Sequence, residues 1–365
     1  MANDRYNTIL KIIGVLCALY LFLAGIKGLS MGIKYLGGDF AKSVMTTTSN
    51  PFIALFIGIL ATTLFQSSST TTSLIVGMVS GGALTISGAV PMIMGANIGT
   101  TVTNTIISIG YVNRDNEFRR AFSAATVHDF FNLLAVIILF PLEVAFGFLE
   151  KSATGLGKLL FGTISTDEVF NSPIKKAIKW GAKQIEAISF ESNTLLIVLS
   201  VLLTFCMLFV IVKLLRSLVL SRVEQFFDMY IFTTPLRAIL FGILLTIMVQ
   251  SSSITTSTVI PLAGAGVLTL RQIYPFTLGS NIGTTVTALL ASLTLNVTAM
   301  VAAFSHLIFN ILGIIIIYLN PLLRDIPMKL AGWIANMALK NKVLPIIYLI
   351  IIFYGIPLIV IILGS

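Results

Sequence analysis

The run Gln66-Ser67-Ser68-Ser69 occurs again as Gln250-Ser251-Ser252-Ser253, and each continues into a matching Thr-Thr-Ser at 71–73 and 255–257. Working outward, residues 51–103 align with 235–287 without a gap at an offset of 184, and 25 of those 53 positions are identical. The alignment closes on a second block, Asn97-Ile98-Gly99-Thr100-Thr101-Val102-Thr103, repeated as Asn281-Ile282-Gly283-Thr284-Thr285-Val286-Thr287. Beyond it, His128, Phe131 and Asn132 match His306, Phe309 and Asn310 at an offset of 178, the second copy having six fewer loop residues. Self-similarity at a fixed offset marks a duplicated structural unit. A lone Ser or Thr in an apolar helix is ordinarily a packing residue, because small polar side chains let helices approach. Seven consecutive identical residues at one spacing do not follow from packing, so the paired blocks are read as functional.

The chain around these blocks is 365 residues long, 56% hydrophobic and 10% charged, with a mean hydropathy of +1.00. Soluble domains are about 25% charged. The composition therefore excludes a soluble domain, a disordered chain, a nucleic-acid-binding domain and a disulfide scaffold. The net charge of +9 fits Lys and Arg in cytoplasmic loops of a membrane protein. Cys17 and Cys206 sit in apolar runs, form no metal-ligand pattern and do not specify a disulfide. The first apolar run ends at Gly25-Ile26-Lys27, a poor cleavage site, and reads as a retained helix.

A helix rises about 1.5 Å per residue, so a span needs roughly 20 residues. Full spans are predicted at 9–29, 121–142, 193–215, 298–319 and 343–364. The motif segments are shorter. Arms 51–65 and 70–82 flank the first QSSS run and predict a re-entrant hairpin with the polar run at its tip. Arms 83–96 and 98–110 flank Asn97 and predict a discontinuous helix broken at Asn-Ile-Gly-Thr-Thr, with the same arrangement in the second copy.

Loop charge sets the orientation. Residues 111–120 carry Arg114, Arg119 and Arg120, whereas the counterpart around Asn296 is uncharged. By the positive-inside rule the first loop is cytoplasmic and the second external, which makes the copies inverted. The expected fold is thus an all-α polytopic membrane protein of two inverted-topology repeats. The first repeat is 1–142, followed by an external connector at 143–192. The second repeat is 193–319, and an interfacial helix and a last span occupy 320–365. The expected location is the plasma (inner) membrane, with the N-terminus cytoplasmic and the C-terminus external. Lys213, Arg216, Arg222, Arg237, Arg324, Lys329, Lys340 and Lys342 then fall inside. Lys27, Lys34 and Lys42 fall outside with Asp39 alone, against the trend. Ile174, Ile178, Ile185 and Ile188 share a helical face away from Lys175, Lys176, Lys179 and Lys183. Leu330, Trp333, Ile334 and Met337 do the same opposite Lys329, Asn336 and Lys340, and both stretches read as membrane-surface helices.

Inverted repeats with broken helices in corresponding positions point to a secondary transporter whose site lies at mid-depth. A helix that opens at each QSSS run offers free N–H groups and a positive dipole end, which suit an oxyanion. Ser67, Ser68, Ser69, Ser251, Ser252 and Ser253 add hydroxyls, and Gln66 and Gln250 add amides. Carbonyls expected to be unpaired at Ala96 and Ser280 join the oxygens of Asn97, Asn281, Thr100, Thr101, Thr284 and Thr285. A neutral all-oxygen set suits a hard, weakly charged cation such as sodium and not zinc or copper. No Lys or Arg lies at either tip; Lys42 and Arg271 flank them at the surface. A buried anion without a basic partner is costly, so co-bound cations must neutralise it. His128 with Asn132, and His306 with Asn310, lie one turn apart and are expected to support the broken segments; ligation or proton handling are the alternatives. Asp129 has no mate, the equivalent position being Leu307. An enzyme is poorly supported, because Ser beside Gln lacks a general base. An anion channel using the same tips is the other reading.

At these residues the chain resembles the type II sodium–phosphate cotransporter family, which carries two QSSS motifs in inverted repeats. The likeness runs from about residue 51 to the end, the connector excepted, and is closest at 66–70, 95–104 and 117–142. It implies import of inorganic phosphate coupled to sodium by alternating access, with no cofactor beyond the coupling ions. It places phosphate at Gln66, Ser67, Ser68, Ser69, Gln250, Ser251, Ser252 and Ser253. Sodium is implied near the same tips and breaks, at Gln66, Thr70, Asn97, Thr100, Thr101, Gln250, Ser280, Asn281, Thr284 and Thr285. The connector lacks the cysteines and length of the animal members' external loop, and no regulatory domain follows. These departures suggest a compact prokaryotic member. The partners expected are phosphate, sodium and the lipid bilayer, with no nucleic acid, and a homodimer is open.

Overall fold

The computed structural model describes residues 2–161, 173–223 and 231–364, and their regular structure is helical throughout. The first half comprises α1 (Ala2–Leu36), α2 (Gly38–Thr48), α3 (Pro51–Phe65), α4 (Ser68–Gly81), α5 (Ile86–Gly99), α6 (Val102–Ile109), α7 (Asp115–Phe146) and α8 (Phe148–Phe161). A connector helix α9 (Pro173–Ile188) leads to α10 (Asn193–Val223), α11 (Pro235–Val249), α12 (Ser252–Ser257), α13 (Val259–Gly264), α14 (Leu270–Ser292) and α15 (Val297–Gly313). The chain ends with α16 (Ile326–Lys340), α17 (Leu344–Ile350) and α18 (Ile356–Gly364). Part of the expected connector, 162–172, and the Arg222 side chain lie outside the described residues.

Among the described residues, five helices are long and apolar enough to cross a membrane: Tyr6–Leu36, Asp115–Phe146, Asn193–Val219, Val297–Tyr318 and Leu344–Gly364. They fall on the five spans the sequence predicts. Apolar side chains on their outer faces are exposed, including Ile13, Leu16, Leu202, Phe209, Ile359 and Ile362. The buried interior instead holds Ser68, Ser69, Thr72, Asn97, Asn132, Ser252, Ser253, Asn281 and Asn310. An apolar exterior around a polar centre is the arrangement that a lipid solvent selects. Cys17 and Cys206 are free thiols on exposed faces.

The two copies are built alike at their start. Asn50 caps α3 by accepting the Phe52 N–H at 3.0 Å, with Pro51 in the first turn. Thr234 caps α11 by accepting the Arg237 N–H at 3.4 Å, with Pro235 in the same place. Each opening helix then packs backbone to backbone on the helix that carries the second block. A Cβ added at Gly58 would strike the Met92 carbonyl, and one at Gly95 the Leu55 carbonyl. The mates Gly242 and Gly279 meet Phe276 and Ile239 in the same way. Only glycine permits this approach.

Between these pairs the copies exchange arms. Helix α4 lies against α14 and α15, while α12 lies against α6 and α13 against α6 and α7. Helix α1 packs along α10 and carries α9 on its side. At one end of the molecule Arg120 donates to the Gly264 carbonyl at 2.9 and 2.6 Å, and Lys342 pairs with Asp115. At the other end Asn296 Nδ2 donates to the Ser80 carbonyl at 3.3 Å, and Asn193 Nδ2 to the Tyr35 carbonyl at 3.0 Å.

One expectation is corrected. The Asn-Ile-Gly-Thr-Thr block interrupts its helix only in the first copy, where α5 gives way to α6 across Thr100 and Thr101. In the second copy α14 runs unbroken from Leu270 to Ser292, 23 residues or about 34 Å of helix. No proline or positive φ lies within 281–285, and Gly283 lets the block pack closely on Thr246. The second copy breaks elsewhere, at Thr258 between α12 and α13. There Pro261 has no N–H to give to the Ser257 carbonyl, whereas the first copy has Gly77 and a continuous α4.

Candidate functional site

Each QSSS run folds into the same short connection. Gln66 ends α3 in the left-handed region at φ 50°, ψ 28°, and Gln250 ends α11 at φ 57°, ψ 26°. A left-handed residue reverses the chain, and the next residue is extended, Ser67 at φ −153° and Ser251 at φ −153°. Both serines then cap the returning helix: Ser67 Oγ accepts the Thr70 N–H at 3.2 Å, and Ser251 Oγ accepts the Ile254 N–H at 3.3 Å. The first two amides of each returning helix, at Ser68 and Ser69 and at Ser252 and Ser253, have no intrahelical partner. Ser68, Ser69, Ser252 and Ser253 are buried around them.

The tips meet at Thr287. Its hydroxyl donates to Gln250 Oε1 at 2.8 Å and lies 3.4 Å from Ser69 Oγ, so residues of both QSSS runs share one side chain. Ser253 Oγ donates to the Thr100 carbonyl at 3.3 Å, at the interruption in the first copy. Asn104 Nδ2 donates to Thr256 Oγ1 at 2.7 Å. A cavity of about 300 Å³ lies between α1, α10, α11 and α14, apolar except where Gln250 and Thr287 form part of its wall.

A second set of buried contacts crosses between the copies. His128 Nε2 pairs with Asn281 Oδ1 at 2.6 Å, and His306 Nε2 with Asn97 Oδ1 at 3.4 Å. Each histidine thus meets the block of the opposite copy. Asn281 Nδ2 donates to Asn132 Oδ1 at 2.8 Å, and Asn132 Nδ2 donates to the Asn97 carbonyl at 2.8 Å. All five residues are buried. Asn310 does not join them; its amide turns back to the His306 carbonyl at 2.9 Å. Asp129 Oδ2 accepts from the Tyr348 hydroxyl at 2.9 Å, off this network.

The remaining expected residues are placed but not drawn together. Gln66 is exposed. Thr70 bonds Ser67 Oγ at 2.9 Å. Thr100, Thr101, Thr284 and Thr285 donate to carbonyls three or four residues back in their own helices, as does Ser280. The Ala96 and Ser280 carbonyls, expected to be unpaired, accept the Thr100 and Thr284 hydroxyls at 2.9 Å each. A hydroxyl that donates backwards keeps its lone pairs, so these threonines remain oxygen acceptors. Three residues of the meeting point, Thr287, Asn104 and Thr256, were not among the expected ligands. Thr287 closes an identical block and was findable; Asn104 has Ala288 as its mate and carried no repeat signal.

No Lys, Arg, Asp or Glu occurs in 43–110, 238–270 or 272–323, the stretches that build both tips. The site is therefore a neutral cluster of amides, hydroxyls and helix N–H groups inside a multi-pass helical membrane protein. The Na+/Pi-cotransporter family matches residues 21–165 and 192–323, and the chain belongs to that family. It is 34% identical over 445 aligned positions to the sodium-dependent phosphate transport protein 2B of Homo sapiens and of Pongo abelii, covering 95% of this chain and 64% of theirs. It is 34% identical to protein 2A of Rattus norvegicus, covering 96% of this chain and 67% of that one. The chain thus spans under two thirds of the length of the 2B relatives. No solved structure matches it.

Proposed function

We propose that the protein is a secondary transporter that imports inorganic phosphate coupled to sodium by alternating access. The observation that carries this reading is the meeting of Ser69 and Gln250 at Thr287, which joins both duplicated tips in one uncharged centre. Phosphate would be held by the amides and hydroxyls of Gln66, Ser67, Ser68, Ser69, Gln250, Ser251, Ser252 and Ser253. Without a basic side chain, the anion needs neutralisation by cations bound beside it. The oxygens of Gln66, Thr70, Asn97, Thr100, Thr101, Gln250, Ser280, Asn281, Thr284 and Thr285 would hold sodium. Asn281 enters with its oxygen already engaged by His128, and Thr100 offers its carbonyl region at the helix interruption. His128, Asn132 and His306 hold the blocks in register, and Asn310 steadies His306. The relatives named for sodium-dependent phosphate transport support the choice of both ions.

The two copies would be inverted repeats, each entering the membrane as a re-entrant hairpin. This is supported by α14, which has the Arg120 contact with Gly264 just before its start and Asn296 just beyond its end. The Arg-rich end would face the cytoplasm, with the N-terminus inside and the C-terminus outside, in the plasma membrane. The test is phosphate uptake into proteoliposomes under an inward sodium gradient or an equal gradient of a bulky organic cation. Uphill uptake with sodium alone, abolished by Ser68→Ala and by Ser252→Ala, is the expected result. Downhill flux that ignores sodium would make the protein an anion channel; absence of phosphate flux would remove the substrate.

A further inference from the structure

A cavity of about 320 Å³ opens at the Arg-rich end of the molecule, where α7, α13, α14 and α16 meet. Arg119, Arg120 and Ser123 of α7 line one side, Gly266 and Thr269 form the turn into α14, and Asn336 of α16 closes it. The Arg120 guanidinium is held in place, because its Nε and Nη2 both donate to the Gly264 carbonyl. Gly266, at φ 78°, leaves room for the flat group; a Cβ there would lie 3.3 Å from Arg120 Cζ. A guanidinium carries five N–H groups, so three of them, the Nη1 pair included, stay free of that carbonyl. Among the described residues, neither Arg119 nor Arg120 is in an ion pair. The acids nearest to them in sequence are committed elsewhere, Asp115 to Lys342 and Glu117 to Arg114. No Asp or Glu lines the cavity, and its other polar walls are the Ser123 and Thr269 hydroxyls and the Asn336 amide.

Two guanidiniums on one wall with no carboxylate leave positive charge unbalanced, and a fixed fork beside hydroxyl and amide donors matches the oxygens of a phosphate group. We infer that this cavity is a binding site for a phosphate oxyanion, separate from the QSSS tips, with Arg119 and Arg120 as its charged donors. His128 lies eight residues after Arg120 on α7, about 12 Å of helix. Asn281 lies eleven residues after Leu270 on α14, about 17 Å of helix. An anion held where α7, α14 and α16 come together therefore braces the two helices that carry the buried His128–Asn281 pair. Its source is either free inorganic phosphate on the side proposed to face the cytoplasm, where the transported ion would be released, or the phosphate of an anionic lipid headgroup. Exposed Leu330, Trp333 and Met337 put α16 beside lipid, which keeps headgroups in reach. Only the membrane side, and not the binding itself, rests on the proposed function.

The experiment measures binding of radiolabelled phosphate to the full chain in detergent, with and without sodium, and mass-spectrometric retention of phosphatidylglycerol after washing in excess phosphatidylcholine. Two variants probe the cavity from opposite walls at exposed positions: Arg119→Gln removes a charge, and Asn336→Asp sets a carboxylate against the arginines. Both are checked for folding by size-exclusion chromatography. Sodium-free, salt-sensitive phosphate binding that becomes about tenfold weaker in both variants, and is unaffected by Ser68→Ala/Ser252→Ala, supports a free-phosphate site. Retention of phosphatidylglycerol by wild type and its loss in both variants supports a headgroup site. Wild type that does neither, or folded variants equal to wild type in both assays, overturns the inference. Absence of sodium-dependent phosphate binding in wild type would sink the transport reading and leave this one standing.

Discussion

The two QSSS connections are nearly superimposable in backbone angle, yet the helices that follow them differ. In the first copy the returning arm α4 is continuous and the Asn-Ile-Gly-Thr-Thr helix is interrupted at Thr100 and Thr101. In the second copy the interruption sits in the returning arm at Thr258, and the block runs through inside α14. The shared part follows from shared residues: a left-handed Gln, a Ser cap and facing glycines. Of the unshared part, the break in the returning arm follows from a single replacement, Pro261 for Gly77, whereas the interruption at Thr100 and Thr101 falls in a block identical in both copies. Identical blocks are therefore presented on two differently jointed scaffolds, so the copies occupy different conformations of one design. In the alternating access proposed above, the two copies would exchange such conformations.

This comparison can be broken or sharpened by variants made in mated pairs. The largest effect is expected at the glycine contacts, where Gly95→Leu and Gly279→Leu drive a side chain into a backbone carbonyl. Each should cost more than about 4 kcal/mol and prevent recovery of folded protein, read by size-exclusion chromatography in detergent. Unequal damage would show that the two helix pairs are not equivalent. Asn281→Ala leaves buried His128 and Asn132 short of partners and should cost about 2–4 kcal/mol, whereas Asn97→Ala, whose histidine contact is longer, should cost roughly half as much. Thermal melting of the two purified variants decides it, and equal losses would remove the asymmetry of the network.

A smaller effect is expected where the jointing is set. Pro261→Ala restores a donor to the Ser257 carbonyl and should stabilise the protein by about 1–2 kcal/mol while slowing phosphate uptake, as α12 and α13 fuse into one rigid arm. Faster uptake would mean that the joint is not used. The smallest effect separates the glutamines. Gln250→Ala loses the Thr287 bond and should cost about 1 kcal/mol, whereas exposed Gln66→Ala should lie within about 0.5 kcal/mol of wild type in melting. A larger loss at Gln66 would place that side chain in a contact absent from this conformation.

Much of this architecture is legible in the residues. Five apolar stretches of spanning length become the five long helices, and Asn50-Pro51 and Thr234-Pro235 announce their helix starts. The tips are legible because Ser after a chain reversal is a cap, and identity at fixed spacing singles them out. The position of each break is not, because Asn-Ile-Gly-Thr-Thr is compatible with helix and with a turn, and packing decides between them. The pairing of His128 with Asn281 spans 153 residues, and no local pattern reports a contact between copies. Thr287 could have been named from its place in the identical block; Asn104 could not.

The interior amides also have a sense of direction. The bond of His128 to Asn281 Oδ1 requires hydrogen on Nε2, because an amide oxygen only accepts. Asn281 then gives its own hydrogen to Asn132, and Asn132 gives one to the Asn97 carbonyl. Every link hands a hydrogen the same way, from α7 through α14, back to α7 and on to α5. Turning either amide over would set oxygen against oxygen at one joint, and the Asn97 main-chain carbonyl can only accept, so that carbonyl fixes the direction of the whole series. The histidine tautomer, two amide rotamers and the seating of a main-chain carbonyl are thereby one choice, made once for both halves of the molecule.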